Sequence, residues 1–372
     1  MKKIFSICAA MLVALAVNAK VINIDNTTPD ILRTTLAAAT TEDGDVIVMA
    51  AGTYEESNGN YIAFDAKNIV VKAAEGAEVI LKPHVPITIA GGARAEFNGI
   101  KIDASELQKL STDYEHLIYP DDAAAGNRLI LEGCEIYGFN VCSSLIHCES
   151  GKLDSVNINN CYFHNILKSI LFVEGTDNLI GLKVTNSTIA NITTVTNSYW
   201  AGIFDVRTST AKIIMDHCTC YSCEVMNTDY GVIGKTDASV EVSNCIFAMP
   251  ASTGGMRAIR GGGGTATKCL IWNYTEDSGY AIRSAVSKVD CIKDQDPLFA
   301  DAANGDFHLQ SGSPAIDAGS DGKSLGDPRW WPGSSTAIDN TVESVKAVKM
   351  FENGQLVIIK NGVKYNAQGA TL

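Results

Sequence analysis

One octapeptide, Val156-Asn157-Ile158-Asn159-Asn160-Cys161-Tyr162-Phe163, returns so often that it limits the fold to very few choices. Its pattern is an apolar alternation, a polar residue, a small residue (usually Cys), then a second apolar alternation. Copies occupy Leu182–Ile189 with Asn186-Ser187, Ile213–Cys220 with His217-Cys218, Val240–Phe247 with Asn244-Cys245, and Thr265–Trp272 with Lys268-Cys269. Weaker copies carry Gly99, Gly133-Cys134 and Asp290-Cys291. From Cys134 the small residue recurs at 161, 187, 218, 245, 269 and 291, in steps of 27, 26, 31, 27, 24 and 22 residues. A strand-like repeat with a period in the twenties marks a solenoid, in which each turn of chain buries itself against its neighbours. A hairpin-built sandwich would need tight turns every ~8–12 residues, and it would not need equivalent stacked boxes.

The small residue of each box is expected to point inward, rung over rung. There a free cysteine acts as a small buried hydrophobe. Stacked coils about 4.8 Å apart bring such thiols near each other, although parallel side-chain vectors are poorly aimed for a disulfide. The Cys218-x-Cys220-x-x-Cys223 cluster has no second Cys/His pair at zinc spacing, so it reads as packing.

The 372 residues would suggest two or three ordinary domains, a count that repeat arrays escape. A net charge of −13 without a basic stripe argues against nucleic acid as a partner. Met1-Lys2-Lys3, an apolar run from Ile4 to Val17, and Val17-Asn18-Ala19 read as a basic, an apolar and a cleavage region. Residues 1–19 are therefore expected to be a removed signal peptide, and the protein to be exported to the periplasm, cell surface or medium. No later stretch approaches the ~20 apolar residues of a transmembrane helix.

Residues 20–45 form the expected N-terminal cap, with Thr28 or Asp30 opening a short amphipathic helix that plugs the apolar end. The solenoid runs over 46–333, and residues 103–127 interrupt its period as an insertion expected to wall a binding face. In the tail, 334–372, two Asn-Gly pairs separate three apolar-alternating runs, the pattern of consecutive hairpins.

Three stretches resemble a known family. Gly44-Asp45-Val46-Ile47-Val48-Met49-Ala50-Ala51-Gly52-Thr53-Tyr54 is similar to the entry motif of right-handed parallel β-helix proteins of the pectate-lyase-like and chondroitinase-B-like superfamily. Asp296-Pro297-Leu298-Phe299, Gly305-Asp306-Phe307-His308-Leu309 and Gly312-Ser313-Pro314-Ala315-Ile316-Asp317-Ala318-Gly319, within 294–333, resemble the closing segment of secreted bacterial β-helix proteins. Asp327-Pro328-Arg329-Trp330-Trp331 extends this toward a Bacteroidetes-type branch, and the tail resembles the short C-terminal segments of exported proteins of that group. The implied fold is an all-β, right-handed parallel β-helix of nine or ten coils.

Aligning the strands upstream of each box gives a charged ladder: His147, Glu149, Glu174 and Asp205, then Arg207, Lys235, Arg260 and Arg283. Carboxylates Glu149, Glu174 and Asp205 supply oxygen ligands suited to Ca²⁺. Cations beside a uronate can neutralise its carboxylate, and one whose pKa is depressed by neighbouring cations can take the α-proton. In the chondroitinase-B-like relatives a Lys and an Arg act as base and acid, so the resemblance points to Lys235 with Arg207 or Arg260 as catalytic groups. Arg283, His147, Trp200 and Tyr230 are expected substrate contacts, the aromatics because sugar faces stack on such rings. The expected activity is β-elimination on an acidic polysaccharide by a monomer. The alternatives are a non-catalytic glycan-binding or adhesin-like solenoid and a polygalacturonase-like hydrolase using Glu174 and Asp205.

Overall fold

The computed structural model describes residues 19–107, 116–140, 144–175, 177–194, 201–225, 230–234, 237–253, 256–274 and 281–334, and the tail strands Val348–Glu352, Gln355–Lys360 and Val363–Tyr365. The chain coils into three parallel sheets. Among the described residues the first sheet has eleven strands, from Val21–Ile24 to Ser287–Val289. The second has ten, from Gly52–Glu56 to Ile292–Lys293, and the third eight, from Ile62–Asp65 to Arg257–Ile259. One coil shows the plan: Leu153–Asn159 lies in the first sheet, Tyr162–Ile166 in the second and Ser169–Val173 in the third. This is the all-β parallel β-helix expected from the repeats, with about nine turns.

The repeated box is the corner between the first and second sheets. Its polar residue is held in the left-handed region: φ is 52° at Asn160, 49° at Asn186, 50° at His217, 53° at Asn244, 53° at Lys268 and 48° at Asp290. Asn and Gly tolerate that conformation at least cost, which is why Asn recurs here and Gly99 and Gly133 replace it. The next residue turns inward and does more than fill space. The Cys134 amide donates to the Cys161 sulfur (3.4 Å), the Cys161 amide to Ser187 Oγ (3.0 Å), and the Cys218 amide to the Cys245 sulfur (3.4 Å). Each side chain also donates to a nearby carbonyl, as Cys161 does to Asn159 (3.2 Å) and Ser187 to Thr185 (2.7 Å). The corner therefore selects small residues that both give and accept a hydrogen bond. The nine described cysteines carry free thiols.

Between these columns the interior is apolar, with Leu131, Val156, Ile158, Phe163, Leu171, Val184 and their neighbours in one cluster. The N-terminal end is closed by the helix Ile31–Ala37, which buries Leu32 and Leu36. Its cap differs from the sequence expectation. Asp30 occupies the N-cap position in a left-handed conformation and makes no side-chain cap; its carboxylate accepts from the amides of Ser57 and Asn58. The helix amides of Leu32 and Arg33 are instead accepted by Glu56 (2.8 and 3.2 Å), a fully buried carboxylate reaching across from the second sheet.

At the other end the closing segment folds over the outer face of the second sheet. Phe307, Leu309, Ala315, Leu325 and Trp330 form a second apolar cluster with Ala190, Tyr221, Ile246 and Leu270. Asp327, 1% exposed, accepts from Thr188 Oγ1 (2.7 Å) and from the Arg329 amide (3.0 Å), while its own amide donates to Thr219 Oγ1 (3.0 Å). Trp330 Nε1 donates to the same Thr188 hydroxyl at 2.7 Å. Residues 333–372 are a separate compact unit whose three described strands pair antiparallel.

Candidate functional site

The third sheet carries the charged ladder, and its register resolves one strip into two columns. Ile146, Leu171, Phe204, Ile233 and Ile259 stack inward, and Ile282 bridges to Ile259. The residues that follow them form the outer column: His147, Phe172, Asp205 and Gly234 in register, then Arg260 and Arg283. Tyr119 precedes His147 on this column, because Ile118 pairs with Ile146. Two residues further along each strand lie Glu149, Glu174 and Arg207.

The centre of the face is a stack of planar groups. The His116 ring lies 3.8 Å from that of His147 at 13°, and His147 lies 5.1 Å from Phe172 at 15°. The Arg207 guanidinium covers Phe172 at 4.5 Å. Polar contacts fix these planes. Ser144 Oγ and His147 Nδ1 are 2.9 Å apart, and His147 Nε2 lies 3.2 Å from Glu149. Asp205, fully buried, accepts from Arg207 through both oxygens (3.2 and 3.3 Å) and from the Gly202 amide at 3.0 Å. Glu174 adds an ion pair to Arg207 at 3.6 Å.

These surroundings set the protonation states. Burial pushes His147 down to about 4, and burial followed by the neighbouring His147 pushes His116 down to about 3, so both rings are neutral at pH 7. Burial alone would loosen the Arg207 proton, but the Asp205 charge and hydrogen bond, then Glu174, outweigh it and raise the pKa. Of the two roles that the resemblance offers Arg207, base and acid, its surroundings disfavour the first. A base needs cations around it, and the structure surrounds Arg207 with carboxylates, so it is a fixed positive charge.

The other named residues divide clearly. Arg260 and Arg283 are half-buried and stand at successive coils, joined by the bonds from Arg260 N to Ile233 O and from Arg283 N to Ile259 O. Tyr230 is 3% exposed within the core cluster, so its ring face is not offered to a sugar. Lys235 and Trp200 lie outside the described residues. Glu174 and Asp205 share the single Arg207 guanidinium, so they do not form the open carboxylate pair that hydrolysis requires. Nor do Glu149, Glu174 and Asp205 fit Ca²⁺: both Asp205 oxygens are taken by Arg207 and Gly202, and no group of three metal-ligating side chains occurs among the described residues.

The sequence reading missed Ser144, Phe172 and His116 as members of the site. Phe172 was legible, since it follows the inward Leu171 just as His147 follows Ile146. His116 lies within the 103–127 stretch, two residues before the third-sheet strand Ile118–Pro120, and its ring stacks on His147.

Fold and site together define a three-sheet parallel β-helix with a buried aromatic and ionic row on one outer face, grading into half-buried arginines. Residues 213–330, which span the later coils and the closing segment, match a domain of unknown function (DUF5123). No curated protein matches the chain. Among solved structures it is similar to a PL6 family alginate lyase, AlyGC, with TM-score 0.43 and 13% identity over 74% of this chain and 39% of that one. It is also similar to the pectate lyase Pel9A, with TM-score 0.40 and 11% identity over 81% of this chain and 91% of that one. The chain thus spans about two fifths of the length of the alginate lyase.

Proposed function

We propose that this is an exported polysaccharide-active β-helix protein that binds an acidic, uronate-containing glycan along the third sheet and cleaves it by β-elimination. The observation that supports this reading is the outer column in which Arg260 and Arg283 stand one coil apart beyond the Asp205–Arg207 pair. Coils repeat at about 4.8 Å, close to the advance of one sugar in an extended polyuronate, so successive arginines can meet successive carboxylates. In this reading Arg260 and Arg283 neutralise uronate carboxylates and stabilise the enolate that develops there, while Arg207, held by Asp205 and Glu174, orders the row beside them. Lys235, directly after Gly234 in the chain, is the proposed base for the C5 proton. No step is assigned to a metal.

One observation favours a non-catalytic glycan-binding solenoid instead. Asp205 and Glu174 together outweigh the one charge of Arg207, which suits a rigid platform better than a centre that must hold an anion. Incubation with polygalacturonate, alginate and chondroitin separates the two. Unsaturated products absorbing in the ultraviolet, lost in Lys235→Ala, support the lyase. Retention on an immobilised polyuronate without any such product supports the binding module. Neither product nor retention with any of the three polymers contradicts both.

A further inference from the structure

The first described strand begins with its backbone nitrogen against a buried carboxylate. Asp45 is fully buried at the N-terminal end of the coil. One of its oxygens accepts from the Lys20 backbone nitrogen at 2.9 Å and the other from the Glu42 amide at 2.8 Å. Lys20 is further held by its carbonyl, which accepts from the Val46 amide at 3.0 Å, and by the pairing of Val21 with Val46 just beyond it. The Lys20 side chain stands 3.8 Å from Asp45, but it is 45% exposed and also donates to the Thr40 carbonyl. Burial raises the Asp45 pKa, against which Lys67 adds a second positive charge that lowers it. A carboxylate this deep is costly unless it is paired with charge at contact distance. The backbone nitrogen at 2.9 Å is already in contact, and in an uncut chain it is a neutral amide.

We infer that hydrolysis of the Ala19–Lys20 peptide bond turns this nitrogen into the partner of Asp45, so that processing completes the N-terminal cap. This rests on the reading of the protein as exported. Water adds across the bond: the carbon–nitrogen bond breaks, Ala19 leaves with a carboxylate, and Lys20 keeps its nitrogen as an α-ammonium. The nitrogen need not move to make the pair. A cleft of about 300 Å³ is lined by Lys20 together with Ile22, Thr34, Thr35 and Thr41 among others. A charge-assisted hydrogen bond is roughly twice as strong as a neutral one, so the gain is about tenfold in the folding equilibrium constant.

The sign of the pH dependence follows. Pairing raises the ammonium pKa in the folded state, so the gain is fully present below the unfolded α-amino pKa of about 7.7–8.0. It is lost as pH rises through the higher folded value.

The test compares the chain starting at Lys20, released from an amino-terminal fusion with no residue left behind, with the same chain retaining Ala19. The expected result is a higher urea midpoint for the Lys20 form at pH 7, a difference that closes in alkali and is absent when both forms carry Asp45→Asn. Equal midpoints at pH 7, or a difference that survives Asp45→Asn, overturn the pairing. Amino-terminal sequencing of the full-length chain after export from a bacterial host tests the cut separately. A start at Lys20 supports it, and any other start, or an intact Met1, overturns it without touching the glycan reading.

Discussion

Replacing Cys161 by alanine isolates the corner column from the rest of the coil. The sulfur is fully buried, accepts the Cys134 amide at 3.4 Å and donates to the Asn159 carbonyl at 3.2 Å. Alanine leaves that amide buried without its acceptor, at about 1–3 kcal/mol. It also opens a hole of roughly one sulfur, worth ~1 kcal/mol more. The sum is about 2–4 kcal/mol. Serine should behave differently, because Ser187 already does this work one coil on, accepting the Cys161 amide at 3.0 Å. Cys161→Ser is therefore expected to cost less than ~1.5 kcal/mol. Valine conserves bulk but neither accepts nor donates, and should cost at least as much as alanine. Urea unfolding followed by circular dichroism measures all three, with coincidence of fluorescence and dichroism transitions checking that the coil unfolds as one unit. If alanine and serine cost the same, or valine is harmless, the column is space-filling and the hydrogen-bond reasoning is wrong.

Three further outcomes follow from the same geometry. The folded chain holds His147 neutral down to about 4 and His116 down to about 3, whereas an unfolded histidine titrates near ~6.5. Between those values the unfolded chain takes up protons that the folded chain refuses, so stability should fall on acidification from pH 6.5 to 4, by up to ~1.4 kcal/mol per unit for each ring. His147→Asn should flatten that slope in a series of urea midpoints against pH. Asn160→Gly should change stability by less than ~1 kcal/mol, the relaxed backbone offsetting the lost exposed bond from Arg329, and Asn160→Val should destabilise by ~1–2 kcal/mol, because the site requires a φ of 52°. Asp327→Ala removes the acceptor shared by Thr188 and the Arg329 amide and should cost ~2–4 kcal/mol, read as faster hydrogen exchange across residues 315–331.

The architecture was legible because its corner has a local chemical requirement. A left-handed residue followed by a small hydrogen-bonding one is best met by Asn-Cys, Asn-Ser or Gly-Cys, and that restriction writes itself into the chain from Gly133-Cys134 onward. The charged ladder was legible for a related reason, since the inward Ile146, Leu171, Phe204 and Ile233 fix which residue faces out next to each. What charge counting could not give was the partnership. Arg207 reads as a free cation in sequence, yet it is locked by Asp205 two residues earlier and Glu174 one coil before. The helix cap failed in the same way: Asp30 is the local signal, but Glu56, 24 residues from Leu32, makes the bonds. Ring stacking of His116 on His147 joins an insertion to a strand, and no spacing rule announces it.

The central claim is that the arginine end of the third sheet engages a polyuronate. Titration calorimetry of a defined oligouronate against the wild type and an Arg260→Ala/Arg283→Ala variant tests it most directly. Two half-buried cation–carboxylate contacts at ~0.5–1 kcal/mol each predict an affinity loss of about five- to thirtyfold, shrinking as salt is raised, with unfolding midpoints unchanged. Equal affinities for the two proteins, or equal binding of a neutral oligosaccharide, would contradict it.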